Sequence, residues 1–263
     1  MRAQKFAALL SLGCFVLSAA LGLIASYGTR FGWWDYDTGL KILAPGVVVA
    51  LVGVASGGLW TARALMINDS AAWRFGALGF AGSLIVAFIP LDQLRLYLIT
   101  PPIHDISTDV EYAPEFTALL PLRAGASNGP EYDGMKLVEY GGRKTHVAAA
   151  QKKAYPDIKA FSDLLNPKAE PAIDPRKILF WRAFERAKGM SGWSVVSFDE
   201  KSGMIEATMT SFWFGLTSDI AIRIKPAGKI GARLDIRAKS RTGQNDMGMN
   251  AAIVRDYLRV VKQ

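Results

Sequence analysis

Cysteine is almost missing from this chain of 263 residues, and the one present, Cys14, sits inside an apolar run. A lone thiol forms no internal disulfide, and the rest of the chain has neither a cysteine-ligated metal site nor a thiol nucleophile. Histidine is scarce as well. His104 and His146 are the only imidazoles, and Ser191, in Gly-Met-Ser-Gly, is followed by Gly192 and then Trp193. A nucleophile elbow needs glycine at that last position, which argues against a serine triad. Phosphate-binding loops and dinucleotide fingerprints are absent, so the pattern calls for no cofactor.

Charge is missing from one part of the chain. Residues 1–100 hold only seven of the 31 Lys and Arg residues and four of the 23 acidic ones. The net charge of +8 is spread over both parts. A mild excess of this kind suits the neighbourhood of anionic lipid headgroups. It lacks the dense cationic face of a nucleic-acid binder, so nucleic acid is not an expected partner.

What fills the first hundred residues is apolar. Residues 6–27 carry no charge, enough as a helix to cross a hydrocarbon core of roughly 30 Å. Arg2 and Lys5 give this stretch a signal-like start, but its length and the lack of a small-x-small cleavage site favour an anchor. Residues 42–62 and 75–91 are two further charge-free stretches, rich in the small residues that let membrane helices approach closely. Pro90 marks the expected end of the third. Trp33, Trp34, Tyr36, Trp60 and Trp73 fall at the span ends, where an interfacial aromatic belt belongs. The reading is a three-helix anchor over residues 1–100 in a lipid bilayer. Arg2, Lys5, Arg63 and Arg74 on one side against Arg30, Lys41 and Arg95 on the other favour an N-terminus inside the cell. The C-terminal part then lies outside the cytoplasm.

Residues 101–263 read as one extramembrane α+β domain. Five prolines make residues 101–134 an irregular connection. A short helix is expected over 146–153, then a second proline-marked stretch ending at Pro175. A helix over 176–188 places Ile178, Leu179, Trp181, Phe184 and Ala187 at helical spacing. Four period-two segments follow, over 193–198, 204–214, 219–225 and 232–239, joined by short turns. A last helix is expected over 246–261, with Asp246 as its cap. Short connections imply an antiparallel four-stranded sheet with its helices on one face. Alternation points Ile220, Ile222, Ile224, Leu234, Ile236 and Ala238 one way. Asp219, Arg223, Lys225, Arg233, Asp235, Arg237 and Lys239 point the other, joined by Glu206, Thr208 and Thr210 if these share that face. The second face then reads as a mixed-charge, predominantly basic surface, either solvated and laced with ion pairs or binding an acidic headgroup or partner.

Several runs of this half are familiar: PPIHDISTD (101–109), AYPDI (154–158), Gly192-Trp193, IEAT (205–208), LDIRAKSRTG (234–243) and NDMGMNAAIVRDYL (245–258). With the joint run SRTGQNDMGMN, they resemble the bacterial membrane-anchored family catalogued as domain of unknown function number 1499, over roughly residues 101–263. The resemblance carries no established activity. It marks Asp105, Asp109, Asp157, Asp235, Arg237, Ser240, Arg241, Asp246 and Asn250 as family-typical polar positions, and it implies a bacterial inner membrane.

Candidate chemistry is thin. His104, Asp105, Ser107, Asp109 and Glu111 set oxygen ligands at alternate positions, as calcium loops do. Val110 and Phe116 stand where such a loop needs glycine and a closing glutamate, so Asp105 and Asp109 are weak metal candidates. The strongest constellation is Arg237, Ser240, Arg241, Asp246 and Asn250, with Arg255 beyond it, a polar corner between the last strand and a helix start. It either holds an anion or partner, or caps the helix with Arg241 paired to Asp246. The functional expectation is a non-enzymatic cell-envelope protein that binds an anionic lipid headgroup or a membrane-protein partner. The alternative is a hydrolase or other enzyme acting in the cell envelope, using carboxylates such as Asp105, Asp109 and Glu206.

Overall fold

A computed structural model describes residues 2–164, 174–228 and 230–263. The chain divides into two compact units: Met1–Arg95 with Trp213–Gly215, and Leu96–Phe212 with Leu216–Gln263.

The first unit is built from α1 (Arg2–Arg30), α2 (Tyr36–Met66) and α3 (Ser70–Ile99). All three are long and apolar enough to cross a membrane, over Ala8–Arg30, Tyr36–Met66 and Ser70–Ile99. The expected charge-free stretches are the middles of these helices, whose ends run on through polar residues. Asp35 caps α2 by accepting the Thr38 N–H at 2.7 Å. Pro90 does not end the third helix, which continues to Ile99. Proline removes one helical hydrogen bond, and a long apolar helix tolerates that loss when its neighbours in sequence favour helix. Asp92 and Arg95 pair at 2.9 Å one turn on. Small residues form the packed seam: Gly39, Gly46, Ala50, Gly53, Gly57 and Ala64 on α2, Ala72, Gly76, Gly79, Gly82, Ser83 and Ala87 on α3. A Cβ added at Gly57 would come within 2.8 Å of the Phe80 backbone nitrogen, so only glycine allows this approach.

In the second unit, β1 (Asp105–Ser107), β4 (Phe161–Leu164), β5 (Trp193–Asp199), β6 (Met204–Thr210), β7 (Thr217–Pro226) and β8 (Gly231–Ser240) form one antiparallel sheet. The order is β1-β8-β7-β6-β5, and β4 shares with β1 the outer edge of β8. The sheet therefore has six strands where four were expected. The four are β5 to β8; the two added ones are three and four residues long, too short for an alternation signal. A separate ribbon pairs β2 (Leu137–Tyr140) with β3 (Arg143–His146) and leads into α4 (Val147–Ala154), close to the helix expected there. Much of the proline-marked stretch expected before Pro175 lies outside the described residues. The strand expected over 204–214 stops at Thr210. There the Ser211 N–H donates to the Leu216 carbonyl at 2.8 Å, and Phe212, Trp213 and Phe214 make a hairpin tip. Gly203, with φ of +74°, closes the β5–β6 turn against the Ile224 carbonyl, a conformation and a space that exclude a side chain.

One face of the sheet is apolar. Ile220, Ile222 and Ile224 pair in register with Ala238, Ile236 and Leu234. They pack under α5 (Pro175–Lys188) and α6 (Met249–Val261). α5 starts on an Asp174 cap that accepts the Arg176 N–H, and turns Leu179, Phe180, Ala183, Phe184 and Ala187 inward. Tyr257 of α6 stacks on Trp193 and donates its hydroxyl to the Ala183 carbonyl at 2.8 Å. α6 begins three residues later than expected, because Gly248 takes a left-handed conformation before it.

Candidate functional site

The other face of the sheet is not solvated. Residues 108–134 lie across it as an irregular cover, and the charged side chains of β6, β7 and β8, apart from the exposed Lys225 near one end, reach into that cover. Arg237 is 1% exposed. Its guanidinium grips both oxygens of Asp105 at 2.8 Å and donates to the carbonyls of Pro114, Pro130 and Glu131. The rings of Phe116 and Tyr132 lie 4.5 and 5.4 Å from it, a cation between two π-faces. Lys239, equally buried, donates to the Glu131 carbonyl at 2.6 Å and to Asp133 at 2.9 Å, with Asp105 at 3.3 Å. Glu206 accepts the backbone N–H groups of Thr117, Ala118 and Leu119 and the Thr117 hydroxyl, so its carboxylate organises a whole turn of the cover. Asp219 takes a bidentate grip from Arg241 and a second contact from Arg123. Asp109 and Asp235 share Arg223 and Arg233. Burying isolated charge is prohibitive, so this layer is held only because its charges are matched. A small apolar patch, Phe116 and Leu119 on Ala221, completes the seal.

The five residues of the polar corner are thus divided. Ser240, Asp246 and Asn250 come together on the helix side, where Asn250 donates to the His104 carbonyl at 2.8 Å and to the Ser240 hydroxyl at 2.9 Å. Asp246 accepts the N–H groups of Gly248 and Asn250 at 2.8 and 3.0 Å, which starts α6. Arg237 lies on the opposite face of β8. Arg241 pairs with Asp219 and not with Asp246 as the capping alternative had it, because β7 brings Asp219 alongside the strand end. Burial pushes the Asp246 carboxyl up to about 6, against those two backbone hydrogen bonds and the nearby charge of His104, which favour its ionised form.

His104 joins the corner to a cleft of about 260 Å³. Pro102, Ile103, Leu137, Val138 and Val147 supply apolar walls, with His104, Asp105, Asp133, Lys136, Glu139 and Gln244 as polar groups. The His104 ring spans two oxygens, Asp133 Oδ2 from Nε2 at 2.9 Å and the Gln244 carbonyl from Nδ1 at 3.2 Å. Burial works to raise the Asp133 carboxyl, but hydrogen bonds and charge from His104 and Lys239 outweigh it and hold it well below the usual carboxylate range. Beside the cleft, the ribbon and α4 carry Lys136, Arg143, Lys144, Lys152 and Lys153, all exposed, against the single acid Glu139.

This geometry bears on the chemical alternatives. Asp105, Asp109 and Glu206, the carboxylates of the hydrolase reading, are committed to Arg237, to Arg223 and Arg233, and to backbone N–H groups. Asp105 does line the cleft with Asp133, but Lys239 bridges the two carboxylates at 3.3 and 2.9 Å, so neither is held by its neighbour as a protonated acid. Both ring nitrogens of His104 are occupied, whereas a general base needs one free for substrate. His146 contacts the Met135 carbonyl at 2.8 Å through Nδ1. Asp105 and Asp109 face arginines, and no three His, Cys, Asp or Glu side chains gather as a metal site among the described residues.

Sequence reasoning missed the His104–Asp133–Lys239 chain, the Glu206 turn and the two arginines on Asp219. Alternation did place Glu206, Asp219, Arg237 and Lys239 on one face. The signal overlooked was on the other side: a proline-rich connection with Phe116, Tyr132, Arg123 and Asp133 is well supplied to cover that face.

No curated protein matches the chain. Residues 142–260 match the model of a family described as protein of unknown function. That span runs from β3 to the end of α6, and β1, residues 108–134 and the three long helices lie outside it. The family the sequence resembles, DUF1499, is the one to which this segment is matched.

Proposed function

We propose that this is a non-enzymatic cell-envelope protein whose three N-terminal helices cross the bacterial inner membrane and hold the C-terminal unit at the membrane surface, where it binds an anionic lipid headgroup. The carrying observation is the exposed cationic ribbon and α4, five bases against one acid, bordering a cleft with apolar walls. The basic sheet face does not supply this site: Arg237 and Lys239 are buried on carboxylates, and Arg241 is engaged by Asp219. The cleft suits a headgroup at Lys136 with its glycerol and first methylenes against Ile103, Leu137 and Val147.

Chain length supports the location. His104 follows the end of α3 by five residues, a reach of at most about 18 Å, so the cleft wall stays within a headgroup layer's distance of the helix end. Three crossings put the N-terminus and the C-terminal unit on opposite sides. An N-terminus inside places the cleft outside the cytoplasm.

The test uses the full chain in nanodiscs of mixed phosphatidylcholine and phosphatidylglycerol, with spin-labelled versions of each lipid. Wild type should restrict the phosphatidylglycerol probe preferentially. The triple variant Lys136→Glu, Arg143→Glu, Lys144→Glu should lose that preference while its thermal unfolding stays unchanged. Equal restriction of both lipids by wild type sinks the reading. Crosslinks from the ribbon to one protein in native membranes would replace the headgroup with a partner.

A further inference from the structure

Hairpin turns usually consist of Gly, Asn, Asp and Pro, yet the β6–β7 connection reads Ser-Phe-Trp-Phe-Gly-Leu over residues 211–216. Phe214 meets the Tyr36 ring edge to face at 5.7 Å, within the helical unit to which Trp213–Gly215 belongs. Phe212 is 67% and Trp213 48% exposed. Tyr36 opens α2. Gly215 lies so close to the end of α1 that an added Cβ would come within 3.0 Å of the Arg30 Cα. This same end of the helices carries Phe31 and Trp33, also largely exposed. Trp213, Phe31 and Trp33, all in the helical unit, and Phe212 beside Trp213 in sequence are large exposed rings that water would disfavour.

Three consecutive spans put the α1–α2 connection and the end of α3 on the same side of the membrane. Aromatic rings gathered where apolar helices emerge are what the bilayer interface selects, apolar bodies toward the acyl chains and the indole N–H toward the headgroups.

We propose that Phe212 and Trp213 form a membrane-interface anchor supplied by the hairpin: its tip enters the headgroup layer, as Phe31 and Trp33 do at their end of the helices, and gives the chain a lipid contact besides α3. The occupant of this surface is the bilayer interface itself.

Depth measurement tests it. The full chain with Cys14→Ala, carrying Phe212→Cys or Ser202→Cys with a spin label, is placed in phosphatidylcholine–phosphatidylglycerol nanodiscs. Ser202, exposed in the β5–β6 turn at the opposite end of β6, is the aqueous control. A label at 212 should be relaxed more by oxygen than by a water-soluble nickel chelate, and a label at 202 the reverse. Equal nickel access at 212 and 202 overturns the proposal. So does low access of both reagents at 212, which would mean that protein, a partner or a second copy, covers the tip. An unlabelled readout avoids any folding defect of the cysteine variants: lipids brominated near the carbonyls should quench wild-type fluorescence more than that of Trp213→Phe. Identical quenching of the two overturns the proposal as well.

Discussion

The two faces of the sheet are buried by different physics. Toward α5 and α6, Ile220, Ile222 and Ile224 meet Leu234, Ile236 and Ala238 in an apolar layer whose stabilisation scales with area and depends little on orientation. Toward residues 108–134, Arg237, Lys239, Asp105, Asp219 and Glu206 are as deeply buried, and each is satisfied by particular partners at particular distances. An apolar layer accepts many packings of about the right volume. An ionic layer accepts one arrangement, because any displacement leaves a charge without a partner in a low dielectric. The cover has almost no regular structure, and the ionic layer gives it a single path. The comparison implies that the helix face supplies most of the stability, while the covered face fixes where the cleft walls stand.

The largest expected effect follows from removing one charge. Asp105→Ala leaves Arg237 buried between Phe116 and Tyr132 with no carboxylate, and it should destabilise the chain by about 3 to 5 kcal/mol. Adding Arg237→Met to that variant should recover part of the loss, since the orphan charge goes with it. Thermal unfolding of the four proteins in mild detergent, followed by tryptophan fluorescence, closes the cycle. Additive losses would mean that the pair is not coupled and that the cover is held by its apolar patch alone. The burial of this pair makes Arg237→Ala unsuitable for probing anion binding, because its loss of fold would mask any loss of ligand.

A smaller effect separates the corner from the ionic layer. The Asp246 carboxyl titrates near 6 in the folded chain and at about 3.9 when unfolded. A raised folded value means that its contribution is fully present below about pH 4 and is lost as the pH rises through 6. The loss is on the order of 3 kcal/mol. Asp246→Asn keeps an acceptor oxygen for only one of the Gly248 and Asn250 N–H groups, which lowers stability at every pH, but it should flatten the stability profile between pH 4 and 6. Asp133 has the opposite sign. Its folded value is depressed, so its contribution is present above the ordinary carboxylate range and fades as the pH falls below it. Stability curves of wild type and Asp246→Asn that stay parallel from pH 4 to 6 would show that Asp246 is ionised in the fold.

How much of this was legible follows the same division. The apolar face was readable because period-two alternation in β7 and β8, and helical spacing in α5, follow directly from burial. The long helices were readable for the same reason. The covered face gave the same alternating pattern as a solvated face would, since alternation reports that Arg237 and Lys239 point away from the apolar side and not what lies beyond them. Only pairing across more than a hundred residues, Arg237 with Asp105 and Lys239 with Asp133, makes that face an interior. No local signal encodes it. The corner was half legible: Asp246 and Asn250 at i, i+4 do share a site with Ser240, but Arg241 found its carboxylate on β7, a partner set by sheet register.

The smallest expected effect is the control for all of this. Arg255 grips Asp157 with two hydrogen bonds, at 2.5 and 2.7 Å, in the same bidentate manner as Arg237 grips Asp105. Geometry alone would rank the two pairs equal. The difference is water: Arg255 and Asp157 are 42% and 53% exposed, and the other pair is sealed. In solvent the Coulomb term is screened, each charge is hydrated when unpaired, and holding two long side chains together costs entropy. Asp157→Ala should therefore cost no more than about 1 kcal/mol, and its effect should shrink further in high salt. Unfolding of Asp157→Ala and Asp105→Ala in the same detergent and at two salt concentrations checks both points. If the exposed pair costs as much as the buried one, pairing geometry and not desolvation governs these charges, and the contrast between the two faces of the sheet loses its physical basis.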